Sequence, residues 1–365
     1  MFDFHMPTTV AGGEGCVRRR AELLTAWGKR ALLVTGGRSA ELSGALRDVC
    51  EVLTEAGVAY SVFDKVRQNP PVSVCWEGGE AARRFSADFI VGIGGGSPLD
   101  AAKAVAAFAT HPEREPMDIY EPLSRAPLQT VAIPTTAGTG SECNTYAVLT
   151  LPDGLRKKTF KGAFNFPKAA FLDPRYTLSL PPDITVATAL DAFCHGVESF
   201  LGRSENAAAE FYALQGAKQV WQGLARFAQG DAGLKTRELL LYGAAFCGIA
   251  IQHTGTCFPH PMGYNLSLCH GIPHGTATGV FLPEFIRRTE LVCPDRVTRL
   301  CAALDATVSE ITAELARHCS LKFVLSETDI RDYVTRIRDA ANFQNGRHEP
   351  LTEEDRAGLY KALTL

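Results

Sequence analysis

Short apolar runs that read as strands recur between helix-like stretches as far as about residue 175, and then they stop. The first is residues 30–35 (RALLVT), ended by Gly36-Gly37 and followed by a helical stretch over about 43–56. A second run covers 59–63, and a helix near 79–85 leads into a third over 88–93. Nearly continuous apolar strands alternating with helices predict a parallel sheet covered on both faces. From about Leu178 the chain reads as helices joined by short polar breaks, among them 204–227 and 234–251. The expected architecture is an α/β domain over residues 1–178 and an all-helical domain over 179–365. A chain of 365 residues is comfortable as two domains. No repeat or low-complexity linker separates them, so close packing is expected.

Composition removes several classes of function. With 46% hydrophobic and 21% charged residues the chain has an ordinary globular profile. A net charge of -3 gives no reason to expect nucleic acid or an anionic membrane as a partner. The opening MFDFHMPTT shows no basic segment followed by an apolar run, so no secretory signal is expected. The longest apolar stretch, 239–251, is too short to span a bilayer and fits a buried helix. Eleven cysteines, an odd number with no C-x-x-C spacing, favour reduced thiols in a cytoplasm over a disulfide framework. There is no G-x-S-x-G elbow, no H-E-x-x-H and no G-x-x-x-x-G-K-[ST].

Two turns carry nucleotide-binding character. The third strand runs into Gly94-Gly95-Gly96-Ser97-Pro98-Leu99-Asp100 ahead of a helix, with Ser97 read as N-cap and Pro98 as first helical residue. Glycines before a helix N-terminus let backbone amides approach a phosphate that the helix dipole also favours. The match to G-x-G-x-x-G is imperfect, and a plain strand-to-helix turn would look similar. A second loop, Pro134-Thr135-Thr136-Ala137-Gly138-Thr139-Gly140-Ser141-Glu142, follows a fourth strand over 131–133. Its hydroxyls and exposed amides suit phosphate or ribose oxygens. Two such loops in one sheet favour a nucleotide over either loop alone.

The helical part holds clustered metal-ligand types. In ALDAFCHGVES, Asp191 and His195 are four apart, with Glu198 on the same face beside an apolar stripe of Leu190, Phe193, Cys194, Val197 and Leu201. In HPMGYNLSLCHGIPHG three histidines fall within one stretch, His260, His270 and His274. Two imidazoles closing on the Asp191–His195 pair would give a mixed nitrogen and oxygen site for iron or zinc. Taken singly, each is also readable as a surface pair or a loop histidine. Cys194 and Cys269, next to these residues, are expected to be packing residues.

Together GGGSPLDAAK, PTTAGTGSE, ALDAFCHGVES and PHG followed by FLPEF resemble the iron-containing (group III) alcohol dehydrogenases, from MPTTVAGGEG to the NGR near residue 346. The resemblance implies a dinucleotide-binding α/β domain, an all-helical domain, and a metal and cofactor meeting between them. It implies metal ligands at Asp191, His195, His260 and His274, leaving His270 as an extra histidine. It implies cofactor contacts at Asn69, Gly96, Ser97, Thr135, Thr136, Asn144 and Lys158. Gly95, Asp100 and Thr139 in the same two loops complete the expected cofactor set, with Gly36 and Gly37. Tyr264 stands where many members carry a second histidine credited with proton transfer. Tyr264 and His270 are therefore the candidate proton-handling residues, with His270 expected to relay through water.

The activity implied is a metal-dependent alcohol dehydrogenase or aldehyde reductase acting on a small alcohol or aldehyde, as a homodimer or larger homo-oligomer. The alternatives are a lyase or cyclase of the dehydroquinate synthase type and a non-catalytic nucleotide-binding assembly protein. NADP(H) is expected over NAD(H). The resemblance puts an acidic residue after the first strand in NAD-preferring members, and this chain has Gly36 there, with Arg38 and Ser39 beside it. Iron is expected, with zinc as the alternative.

Overall fold

The structure is a computed structural model that describes residues 2–319, 321 and 324–363. Its strands are β1 (Thr9–Gly12), β2 (Arg30–Val34), β3 (Ala59–Phe63), β4 (Phe89–Gly94), β5 (Gln129–Pro134), β6 (Ala147–Thr150), β7 (Lys157–Phe160) and β8 (Ala169–Leu172). Six of them form one parallel sheet in the order β1-β8-β5-β4-β2-β3, and β6 and β7 pair as an antiparallel hairpin. Between and around them run α1 (Cys16–Arg19), α2 (Ala21–Thr25), α3 (Ser39–Leu42), α4 (Ala45–Glu55), α5 (Val72–Phe85) and α6 (Gly96–Thr110). Successive side chains of a strand point to opposite faces. Leu33, Phe89 and Val91 therefore join one core and Leu32, Val34 and Ile90 another. Both faces are covered, and every residue of β4 is buried.

The four strands expected from the sequence correspond to β2, β3, β4 and β5. α5 starts earlier than expected, at Val72 behind Pro71, and contains Gly78 and Gly79. A Cβ at those positions would lie 2.5 Å from Val105 and 2.4 Å from Phe108, so the two glycines let α5 lie flush on α6. α6 begins at Gly96 with Gly95 as its N-cap, so Ser97 is inside the helix rather than capping it.

After β8 no further strand occurs among the described residues. The helices are α7 (Pro182–Leu201), α8 (Ala207–Ala228), α9 (Leu234–Thr254), α10 (Pro259–His270), α11 (His274–Gly279), α12 (Leu282–Val292), α13 (Pro294–Leu304), α14 (Val308–His318), α15 (Glu327–Arg336) and α16 (Glu353–Lys361). They share a third core built around α7, whose expected stripe of Leu190, Phe193, Cys194, Val197 and Leu201 is buried in it. The hydroxyl-rich loop after β5 meets this helical body directly. Thr145 donates its amide to Gln252 Oε1 at 2.8 Å, and the Tyr146 hydroxyl donates to the Ile251 carbonyl at 3.0 Å.

Candidate metal centre and cofactor loops

α7 runs through the middle of the helical body, and Asp191, His195 and Glu198 lie along one side of it, all buried. α10 brings His260 in its first turn, after Pro259 at a position that tolerates proline's missing N–H. α11 starts at His274, and the next residue decides how close it comes. A Cβ on Gly275 would lie 1.9 Å from the Ala187 carbonyl oxygen and 2.6 Å from the Asp191 nitrogen. Only glycine lets α11 press onto α7 and carry His274 to Asp191.

The result is a tight convergence. The Nε2 atoms of His195, His260 and His274 lie 3.8, 3.7 and 3.6 Å from the same atom, Asp191 Oδ1. The rings of His195 and His260 stack with centroids 4.6 Å apart, and His274 meets His260 edge-on at 5.5 Å. Asp191 Oδ1 and His260 Nε2 are buried without a hydrogen bond, which is costly unless something completes them. Donor atoms of Asp191, His195 and His260 all lie within 4.8 Å of one another, a spacing that one first-row metal ion about 2.1 Å from each would bridge, and His274 stands beside Asp191 as a fourth donor. The donor set therefore fits a divalent metal. A fifth residue steadies it. Glu198 accepts from His260 Nδ1 at 2.7 Å and from the Cys257 amide at 2.6 Å, so His260 turns Nε2 toward Asp191. In the sequence Glu198 is legible only as a residue on the ligand-bearing face.

Two of the three imidazoles are already in the ligating form, and the third must give up a proton to a metal. Burial lowers the pKa of His195 to about 4 and of His274 to about 3, leaving both neutral, the ligating form. Burial also opposes charge on His260, but Glu198 and Asp191 outweigh it and raise the group to about 9. Burial works against the Asp191 carboxylate, yet the histidines around it, His260 alone of them charged, hold its carboxyl below the usual range.

Tyr264, one turn after His260, stacks on His274 with centroids 5.5 Å apart. Burial pushes its phenol well above the usual range, so the hydroxyl stays protonated. His270 ends α10 in an exposed position, with Nε2 2.6 Å from the Tyr333 hydroxyl. Ten residues of helix separate it from His260, about 15 Å of rise. Cys194 is buried as expected, whereas Cys269 is exposed, with Arg336 Nη1 3.0 Å from its sulfur, and is not a packing residue.

The two loops expected to hold the cofactor lie against each other. A Cβ on Gly96 would be 2.4 Å from Thr139 Cγ2, and one on Gly95 3.2 Å from Thr136. Gly95, Gly96 and Ser97 open α6, and Thr136 and Thr139 face them half-buried, while Thr135 is buried with an unpartnered hydroxyl. Asn69 lies in a left-handed turn at φ 55 whose carbonyl accepts from Thr150. Gly36 is half-buried and Gly37 is exposed just past β2.

Three residues of the expected set have partners within the chain. Asp100 turns inward: Oδ1 accepts from Ser141 Oγ at 2.5 Å and Oδ2 from the Val148 amide at 2.9 Å. The Asn144 side chain is spent on the Gly140 carbonyl, the Tyr146 amide and Lys103. Both brace the loop from within. Lys158 is exposed with Nζ 4.3 Å over the Tyr120 ring. Its neighbour Lys157 faces the centre instead, 4.9 Å over the Tyr264 ring. Burial lowers its pKa to about 8 against the pull of Asp191 and Asp100. Adjacent strand residues point to opposite sides, and sequence alone does not say which side is inward.

Comparison with known proteins places this geometry. Residues 7–174 match the family described as iron-containing alcohol dehydrogenase, and residues 185–339 match the C-terminal part of the same family. An NADPH-dependent butanol dehydrogenase from Clostridium saccharobutylicum is 30% identical over 84% of this chain and 78% of its own length. A 1,3-propanediol dehydrogenase from Citrobacter freundii is 31% identical over 87% and 84%. A crystal structure of an iron-containing alcohol dehydrogenase from Thermotoga maritima superposes with a TM-score of 0.92 at 33% identity, covering 100% of this chain and 99% of that one. The chain belongs to the iron-containing alcohol dehydrogenase family and is a metal-dependent alcohol dehydrogenase or aldehyde reductase.

Proposed function

We propose that this member of the family interconverts small aldehydes and alcohols with NADP(H) in preference to NAD(H), holding ferrous iron through Asp191, His195, His260 and His274. The observation that carries the metal assignment is the approach of three imidazole nitrogens to one carboxylate oxygen at 3.6–3.8 Å. One carboxylate with three imidazoles also accepts zinc, which is the second candidate. When bound, the metal supplies Lewis acidity and the nicotinamide supplies or accepts the hydride.

The chain's own residues do the rest. Glu198 keeps the His260 proton on Nδ1, and Tyr264 stacks on His274. Gly95, Gly96 and Ser97, at the positive end of α6, present amides to the pyrophosphate, and Thr135, Thr136 and Thr139 present hydroxyls beside them. Lys157, rather than Lys158, is the lysine that faces this site. The absence of a carboxylate after β2, with exposed Arg38 next to Gly36-Gly37, supports NADP(H). The Clostridium relative named above is NADPH-dependent, whereas a sulfoacetaldehyde reductase of the same fold, 26% identical, was solved with NAD+.

No helix among the described residues is long and apolar enough to cross a membrane. With all 11 cysteines free, the reading is a protein of a reducing cytoplasm, assembled as a homo-oligomer. The deciding experiment is metal analysis of protein purified without oxygen, coupled to NADPH oxidation over a panel of small aldehydes. Stoichiometric iron with aldehyde-dependent turnover is expected. Turnover that survives complete metal removal would overturn the assignment.

A further inference from the structure

We propose that Lys103 is a positioning residue for the nicotinamide cofactor, setting the height of the hydroxyl-rich loop over the glycine turn. The inference rests on the reading that these two loops hold the cofactor.

Lys103 lies on α6 two turns after Gly96 and is 1% exposed. A lysine so deeply buried needs acceptors, and it has four. Its Nζ donates to the Ser141 carbonyl at 2.8 Å, the Ser141 hydroxyl at 2.7 Å, the Tyr146 carbonyl at 2.7 Å and Asn144 Oδ1 at 3.4 Å. All four belong to the chain that leaves the hydroxyl loop. Asp100, one turn earlier on the same helix, takes the Ser141 hydroxyl and the Val148 amide. One face of α6 therefore grips residues 141–148, while the N-terminus of the same helix is the proposed phosphate site. Ser141 passes this grip on, because its amide donates to Thr139 Oγ1 at 3.3 Å and Thr139 packs onto Gly96. Burial lowers the Lys103 pKa to about 8 against the pull of Asp100 and Glu142, which fits a charge held for its hydrogen bonds.

A lysine that merely fills the core would affect stability, and its loss would weaken cofactor and metal binding alike. A positioning lysine would affect cofactor binding selectively. The test uses full-length, metal-loaded protein with Lys103→Met, Lys103→Arg and Ser141→Ala. NADPH affinity is read by fluorescence titration, KM and kcat are measured separately, and metal content is read alongside. The wild type binding NADPH is the control for the underlying reading, since a wild type that binds no nicotinamide sinks that reading and not this residue's role. Lys103→Met should weaken NADPH binding and raise KM at least tenfold, with metal content unchanged and kcat within about threefold. Lys103→Arg should recover part of the affinity. If Lys103→Met does not fold, Ser141→Ala carries the test, with an expected three- to tenfold rise in KM for NADPH. Unchanged affinity in a folded variant, or parallel loss of metal and cofactor binding, would overturn the proposal.

Discussion

Single atoms decide the centre. Asp191 Oδ1 faces three imidazoles, and Glu198 fixes which nitrogen of His260 looks at it. A carboxylate that orients a ligating imidazole typically contributes ten- to a hundredfold in metal affinity. Glu198→Gln should lower iron affinity within that range in a competition titration, while NADPH binding stays unchanged. A variant that keeps full metal affinity would show that Glu198 serves only the Cys257 amide. Cofactor choice also belongs to this scale. Restoring an acid at Gly36 is a poor test, because a Cβ there would lie 2.3 Å from the Val66 carbonyl oxygen and would move backbone. Arg38 is exposed and replaceable. Arg38→Gln should reduce kcat/KM for NADPH about five- to tenfold, the worth of one exposed charge-assisted bond, and leave NADH nearly unaffected. Equal losses with both cofactors would place the selectivity elsewhere.

At the scale of elements, α10 separates two residues that the sequence puts side by side. Tyr264 is one turn from His260 and stacks on His274, while His270 ends the helix against Tyr333. His270→Gln should leave the pH–rate profile unchanged and cost at most about 1 kcal/mol of stability, the usual worth of one hydrogen bond. Tyr264→Phe, which keeps the ring stack, isolates the hydroxyl; a drop in kcat of tenfold or more with metal retained would assign it the proton. A His270→Gln variant with a shifted profile would restore the relay through water. What was legible at this scale follows from length and periodicity. β2, β3, β4 and β5 are largely apolar runs of five or six residues, and α7 carries an unbroken stripe, so all stand out. β1, β6, β7 and β8 are four residues each, too short for alternation to register. α5 starts earlier than the expected helix over 79–85, and Gly78 and Gly79 lie inside it because α6 packs against them. The inward turn of Asp100, and which of Lys157 and Lys158 lies over Tyr264, depend on which face of an element meets which neighbour. No spacing rule records that.

Across the whole molecule the two chemistries stand on separate supports. All four proposed metal ligands come from α7, α10 and α11 in the helical core, and the proposed cofactor loops rise from the sheet and are braced by Lys103. They meet along a seam where a Cβ on Gly248 would lie 2.5 Å from the Gly140 carbonyl oxygen and Thr145 bonds to Gln252. A ligand that binds only the folded state stabilises it by about 2.7 kcal/mol at a hundred times its Kd. Stripping the metal with a chelator should therefore lower the melting temperature by several degrees and abolish turnover. Asp191→Ala should lose both metal and turnover without responding further to chelator. NADPH binding, read by fluorescence on the same samples, should change by less than about threefold, because none of its supports is a metal ligand. If NADPH affinity instead falls tenfold with the metal, the seam transmits between the two sites, and the Gly140–Gly248 contact is where that coupling has to pass.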